Sequence, residues 1–230
     1  MSELNPQALA RAIDHTLLRA DATSTDIEKL CSEARAHGFY AVCVNGCYIE
    51  LAHHLLEDSD VNVAATVGFP LGAASSDVKR YETEAAIDAG AQEIDMVLNI
   101  GWLKERRDAP LLRELRDIVE AADEHPVKVI IECALLNEEQ KVRACRLIVE
   151  AEAQFVKTST GFGPGGATIE DVKLLRQTVG PKFGVKASGG IRDTATALAM
   201  IEAGATRLGA SNGVAILEGL AMAASARCER

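Results

Sequence analysis

Lys157 closes the run Gln-Phe-Val-Lys and Lys186 closes Phe-Gly-Val-Lys, so each lysine ends a short apolar segment of strand character, and the two segments are consecutive in the chain. Lysine is rarely buried. One strand lysine reaches outward to a helix carboxylate about as often as it serves a site, but two at matching positions point to a shared interior. Neighbouring strands lie about 4.8 Å apart, so two inward ammonium groups repel and lose water together, which drives one pKa from about 10.4 toward neutrality. A neutral amine attacks carbonyl carbon and forms a Schiff base, the covalent device of metal-free aldolases.

An internal repeat supplies further candidates. The segments 87–95, 149–157 and 201–209 align without gaps as helix end, turn and strand, which places Asp95, Lys157 and Gly209 at one height. The spacing from Gly38 to Cys43 equals that from Gly90 to Asp95, so Cys43 joins them. Asp95 is the leading candidate for proton transfer, and Asp14, in Ile-Asp-His-Thr, is the matching carboxylate on the first strand. Lys128 shares strand parity with Glu132, where an interior ion pair that only shapes the barrel weighs evenly against a catalytic part. Cys43 is by type a core thiol, yet its height also places it among the positions lining the substrate.

Glycines cluster as Ala187-Ser-Gly-Gly190 and Gly209-Ala-Ser-Asn-Gly213. After the last two strands of a barrel, such loops bind phosphate through backbone N–H groups and a helix N-terminus. Gly189, Gly190, Gly209, Ser211 and Asn212 are therefore candidate phosphate contacts, joined by Thr160 and Gly161 just after Lys157. The run Gly161-Phe-Gly-Pro-Gly-Gly166 reads as either a mobile lid or a long turn. The five histidines show neither His-x-His nor HExxH spacing, so metal catalysis, a zinc-dependent aldolase included, is disfavoured.

Eight elements must position these groups. Apolar, β-rich runs centre on Ile13, Val42, Ala65, Ile94, Val129, Val156, Val185 and Leu208, about 28 residues apart, the length of one strand, one helix and two loops. The first is expected near Ala12–Asp14. Helix signals lie between them: Thr25-x-x-Glu28 and Asn137-x-x-Gln140 as capping boxes, Ser75 and Ser76 before a helix, and Gly38, Gly90 and Gly204 after helix ends. Strands apolar on both faces, alternating with one-faced helices, call for a parallel sheet covered by helices. With eight units and no linker, residues 1–230 are expected to form one single-domain (β/α)₈ TIM barrel.

The chain carries 24 Lys and Arg against 34 Asp and Glu, a net charge of −10, and no basic block interrupts the acidity. Nucleic acid and anionic lipid are thus excluded as expected partners. No run approaches a membrane span and the opening lacks a signal-peptide stretch, so the cytoplasm is the expected compartment. Six cysteines without a Cys-x-x-Cys pair read as free thiols.

The segments Ile13-Asp-His-Thr-Leu-Leu18, Val42-Cys-Val-Asn45, Val67-Gly-Phe-Pro-Leu-Gly72, Glu93-Ile-Asp-Met-Val97, Lys128-Val-Ile-Ile-Glu132, Phe155-Val-Lys-Thr-Ser-Thr-Gly161, Val185-Lys-Ala-Ser-Gly-Gly-Ile191 and Gly209-Ala-Ser211 together resemble the deoxyribose-phosphate aldolase family, class I enzymes that work through a Schiff base. The resemblance spans almost the whole chain. It implies reversible cleavage of 2-deoxy-D-ribose 5-phosphate to acetaldehyde and D-glyceraldehyde 3-phosphate, with a small phosphorylated sugar and aldehydes as partners and no metal or organic cofactor. By matching position it makes Lys157 the Schiff-base lysine, Lys186 the residue that lowers its pKa and Asp95 the proton carrier. Lys128 and Asp14 complete the polar network, while Gly189, Gly190, Gly209 and Ser211 hold phosphate. Two departures stand out: Phe162 where some members carry a phosphate-contacting lysine, and an ending Ala-Arg-Cys-Glu-Arg where some carry a tyrosine. The rival readings are a phosphosugar isomerase or epimerase without a covalent adduct, and a non-catalytic phosphosugar-binding barrel. Oligomeric state is left open by the sequence, with a homodimer allowed.

Overall fold

Every second residue of each strand faces the large apolar core, and the alternate set faces inward. Thus Val42, Val63, Ala65, Ile94, Met96, Val129, Val156, Val185 and Leu208 pack into one continuous buried cluster with the helices, whereas Asp14, Asp95, Lys128, Lys157 and Lys186 share the opposite face. Each fully buried Val, Leu or Ile contributes about 1.5–3 kcal/mol of hydrophobic stabilisation, so the outer face holds the strands while the inner face is released for polar side chains.

The computed structural model describes residues 5–228, with side chains through Met222. Helix α1 (Pro6–Ala10) precedes strand β1 (Ile13–Leu17), followed by α2 (Ser24–His37), β2 (Ala41–Val44), α3 (Ile49–Leu56), β3 (Asn62–Val67), α4 (Ser76–Asp88) and β4 (Glu93–Val97). Then come α5 (Ile100–Lys104), α6 (Asp108–Ala121), β5 (Val127–Ile130), α7 (Glu138–Glu150), β6 (Phe155–Lys157), α8 (Ile169–Val179), β7 (Gly184–Ser188), α9 (Thr194–Glu202), β8 (Arg207–Ala210) and α10 (Gly213–Cys228). The strands pair in chain order, all parallel, and β8 closes on β1. Followed around the closed sheet, the hydrogen-bonding register slips by eight residues, the shear of a (β/α)₈ TIM barrel.

All eight expected strands are present. The internal repeat has a structural counterpart: α4, α7 and α9 end at Asp88, Glu150 and Glu202, and β4, β6 and β8 begin at Glu93, Phe155 and Arg207. Two local expectations are corrected. The first strand runs from Ile13 to Leu17 rather than near Ala12–Asp14, because α1 and its C-cap Arg11 occupy the preceding residues. The capping box of α2 is Thr23 with Asp26, not Thr25 with Glu28. Thr23 has the extended conformation (ψ 166°) from which its hydroxyl accepts from the Asp26 N–H, while Asp26 accepts in return from the Thr23 N–H at 2.8 Å. Thr25 lies inside the helix. The Asn137–Gln140 box and the left-handed C-cap Gly38 are as expected.

Candidate active site

β4 and β5 pair with Asp95 opposite Lys128, and β6 and β7 pair with Lys157 opposite Lys186. The inward set therefore converges on Asp95. Its Oδ2 accepts from Lys157 Nζ at 2.6 Å and from Lys186 Nζ at 2.7 Å, and its Oδ1 accepts from Lys128 Nζ at 2.6 Å. Lys186 also donates to Asp14 of β1. Asp14, Asp95, Lys128 and Lys186 are fully buried and Lys157 is 2% exposed. Unpaired, such burial would be prohibitive for charges.

The lysines divide the load unequally. Burial lowers the pKa of Lys157, and the Lys186 cation lowers it further, against the attraction of Asp95; the net result lies below the ordinary lysine value. For Lys186 burial also opposes the charge, but Asp14 and Asp95 together override it and hold the ammonium form. Lys128 is held charged in the same way by Asp95, Glu93 and Asp14. Burial works against ionisation of Asp14 too, yet Lys186, Lys128 and Arg207 bring its pKa down to about 2, and Asp95 stays ionised among three lysines. The arrangement sets one amine with a lowered pKa beside two lysines and two aspartates held in their charged forms, all within a single hydrogen-bonded cluster.

Sequence reading missed two members. Glu93 and Arg207 stand two residues before Asp95 and Gly209, so strand parity alone turns them inward. Lys128 pairs with Glu93 at 2.7 Å, and Arg207 bonds Asp14 at 2.9 Å and Glu93 at 3.0 Å. Glu132, by contrast, does not pair with Lys128. β5 ends at Ile130, Glu132 takes a left-handed turn (φ 52°), and its carboxylate accepts from the Thr160 N–H at 3.2 Å and from the Thr160 hydroxyl.

Across the barrel from the lysines, Leu18, Cys43 and Ala64 form a separate apolar cluster with Phe69 against it. Cys43 leads in register through Ala64 to Glu93, but strand tilt brings its Sγ to 3.9 Å from Asp95 Oδ2. Burial pushes its thiol pKa upward, which keeps it protonated and weakly reactive.

The glycine candidates separate by place. Gly189 and Gly190 follow β7 with φ of +85° and +80°, a conformation L side chains rarely adopt; nothing lies within 4 Å of where a Cβ on Gly190 would sit. Ser211 and Asn212 are exposed just before α10, and Gly161 is exposed after β6. Gly209 lies inside β8, where an added Cβ would stand 3.2 Å from Lys186 Cε, so it makes room for that side chain. Thr160 is buried, its hydroxyl engaged by Glu132 and by the Phe162 N–H at 3.0 Å. The 161–166 run is tied down at its end, with Ala167 N donating to the Ser188 and Gly189 carbonyls at 3.0 Å, and Phe162 stands edge-on to Phe69 at 5.4 Å. The C-terminal departure from tyrosine lies outside the described side chains. Among the described residues no group of three or more His, Cys, Asp or Glu is placed to hold a metal ion, and no helix is long and apolar enough to cross a membrane.

Comparison with known proteins gives the same direction. The chain is 60% identical over 210 residues to the deoxyribose-phosphate aldolase of Alkaliphilus oremlandii, covering 91% of this chain and 95% of that one. It is 56% identical over 213 residues to deoxyribose-phosphate aldolase 1 of Bacillus licheniformis, covering 92% and 96%. The solved tetrameric structure of deoxyribose phosphate aldolase from Aeropyrum pernix superposes with a TM-score of 0.87 at 35% identity, over 93% of this chain and 91% of that one. The sequence profile of the DeoC/LacD family of aldolases matches residues 8–220, and with a buried lysine–carboxylate cluster inside a closed barrel, the chain belongs to that family.

Proposed function

We propose that this protein is a class I aldolase that reversibly cleaves 2-deoxy-D-ribose 5-phosphate to acetaldehyde and D-glyceraldehyde 3-phosphate through a Schiff base on Lys157. The observation that carries this reading is the asymmetry of the two neighbouring lysines: Lys157 is pushed toward the free amine while Lys186 is held as ammonium. Lys157 attacks C1 of the open-chain sugar, and the carbinolamine loses water as Lys186 supplies a proton to the departing hydroxyl. The iminium then draws the electron pair of the C2–C3 bond. The C3 hydroxyl proton leaves toward Asp95 through water, and glyceraldehyde 3-phosphate departs. Protonation of the enamine at C2 and hydrolysis of the imine release acetaldehyde and restore Lys157. The apolar wall of Leu18, Cys43 and Ala64 suits the two-carbon fragment, and the loops at Gly189–Gly190 and Ser211–Asn212 suit the phosphate.

Borohydride treatment in the presence of acetaldehyde is expected to leave one stable adduct, mapped to Lys157 by intact mass and peptide analysis. Labelling confined to surface lysines or the N-terminus would sink the Schiff-base mechanism and leave the isomerase or epimerase reading standing. A chelator such as EDTA is expected to leave the rate unchanged; a loss restored by zinc would contradict the metal-free mechanism.

For phosphate, a bulky residue at Gly190 has open space to enter but a strained backbone to adopt. It is expected to lower kcat/KM for the phosphorylated sugar at least about tenfold more than for free deoxyribose, because the side chain projects where phosphate would meet backbone N–H groups. An unchanged ratio of the two removes the phosphate site from this loop. The compartment we propose is the cytoplasm, where the five described free cysteines stay reduced. A homodimer is the proposed assembly, to be checked by light scattering.

A further inference from the structure

Beneath the lysines, at the N-terminal ends of β4 and β8, lies a second polar layer that no step of the reaction uses. Arg207, 6% exposed, lies with its guanidinium 3.4 Å from the centroid of the Tyr40 ring and 5.3 Å from that of Phe155, so two aromatic rings hold it in position. From there it bonds Asp14 at 2.9 Å and Glu93 at 3.0 Å. Glu93 bonds Lys128 at 2.7 Å, and Lys128 lies 3.7 Å from Asp14. Both deep residues thus grip groups that contact Asp95 or Lys186, one step removed from the amine.

The interior ion-paired cluster contains three carboxylates, Asp14, Glu93 and Asp95, and four nitrogen bases, Lys128, Lys157, Lys186 and Arg207. Three anions balance three cations. A fourth cation would be an uncompensated buried charge, and Lys157 is the base with a single carboxylate partner, Asp95, where each of the other three has at least two. We propose that Arg207 and Glu93 are positioning residues that complete this charge balance from below, without touching substrate, and so leave Lys157 as the uncharged member.

The inference rests on the Schiff-base reading of Lys157 and sharpens it. The groups that face the Lys157 amine are Asp95 from β4, Lys186 from β7 and the Cys43 thiol from β2, with Lys128 of β5 and Asp14 of β1 behind them; Glu132 turns away to Thr160. Removing one deep charge leaves all of these in place and changes only the sum. Arg207→Met leaves an excess anion, which Lys157 satisfies by keeping its proton to higher pH. Glu93→Gln leaves an excess cation, so Lys157 gives up its proton at lower pH. The two substitutions therefore act in opposite directions, which loss of packing alone does not produce.

The test is the pH dependence of borohydride trapping of acetaldehyde on Lys157, read by mass beside the pH–rate profile. The acid limb is expected to rise by about one pH unit in Arg207→Met and to fall by about one unit in Glu93→Gln, each unit being about tenfold in free amine at fixed pH. The double variant and Arg207→Lys should both return to the parent profile, the first because the charges balance again and the second because the cation is kept. Circular dichroism checks folding; if Arg207→Met does not fold, Glu93→Gln and the double variant decide. Limbs that stay in place, or that move in the same direction, overturn the proposal, since a carboxylate and not Lys157 would then be absorbing the imbalance. Absence of Lys157 labelling in the parent would instead overturn the Schiff-base reading itself.

Discussion

Lys157→Leu is expected to lose on the order of 10⁴-fold or more in kcat/KM while its thermal stability equals or exceeds that of the parent. The first effect follows because leucine offers no amine for the imine. The second follows because the parent amine is buried and held below its ordinary pKa, so the loss of solvent on folding outweighs the attraction of Asp95 at 2.6 Å. Asp95 keeps Lys128 and Lys186 as donors, and leucine keeps the apolar stem that lysine buries there. Exchanging a buried amine whose charged form is disfavoured for a packed apolar side chain is neutral to stabilising, here by up to about 2 kcal/mol.

The pH dependence fixes the sign. Between the lowered folded pKa and the ordinary value of 10.5, the unfolded chain binds one proton more than the folded one, so the parent gains stability as pH rises through that window. The advantage of Lys157→Leu over the parent should therefore shrink toward pH 10. Denaturant melts of both proteins across that range measure it. A variant destabilised by several kcal/mol at pH 7 would mean that Lys157 is a structural cation, and the catalytic assignment would fall with that result.

The barrel was legible because parallel strands covered on both faces leave continuous apolar runs, and because three copies of the helix–turn–strand segment keep one length. Asp95 and Lys157 followed from that repeat, and Lys186 from its matching place at a strand end. Glu93 and Arg207 stayed hidden for a physical reason: both sit at strand starts, where charged residues are as often solvated ends as interior groups, and only ring closure brings β8 against β1 and sets Arg207 on Asp14. The partner of Lys128 depended on the same closure together with the left-handed turn at Glu132, a conformation that a non-glycine residue gives no warning of. Gly209 reads in the sequence as part of a phosphate loop; the fold adds a packing reason for the glycine, since a Cβ there would stand 3.0 Å from Ser188 Cβ and 3.2 Å from Lys186 Cε. The Thr23–Asp26 box was displaced by two residues from the expected one because several Ser, Thr, Asp and Glu residues crowd the stretch 23–28, and the backbone angle at the cap decides among them.

Lys186→Leu is expected to be slow at pH 7 and to recover as pH rises, which separates the electrostatic part of this lysine from that of the nucleophile. Its ammonium repels a proton from Lys157 while satisfying Asp14 and Asp95. With it gone, Asp14 still has Arg207 at 2.9 Å, and Asp95 still has Lys128 at 2.6 Å, but the cluster lacks one cation. Lys157 supplies it by staying protonated, so the amine's pKa rises by about 1–3 units on the scale of close charge pairs. Each unit costs up to about tenfold in reactive amine, or ~1.4 kcal/mol, the full amount being reached at pH values below the parent's own pKa. The loss at pH 7 thus reaches at most about 10- to 1,000-fold, and alkaline pH restores the part due to amine ionisation. The part due to proton donation to the carbinolamine hydroxyl is not restored, so the plateau stays below the parent's. Lys157→Leu, run beside it, shows no recovery at any pH. Lys186→Arg keeps the charge and should hold the acid limb near that of the parent even if the longer side chain costs rate. If Lys186→Leu loses rate equally at all pH values with its acid limb unmoved, the two lysines are not coupled, and the neutrality of Lys157 must come from burial alone.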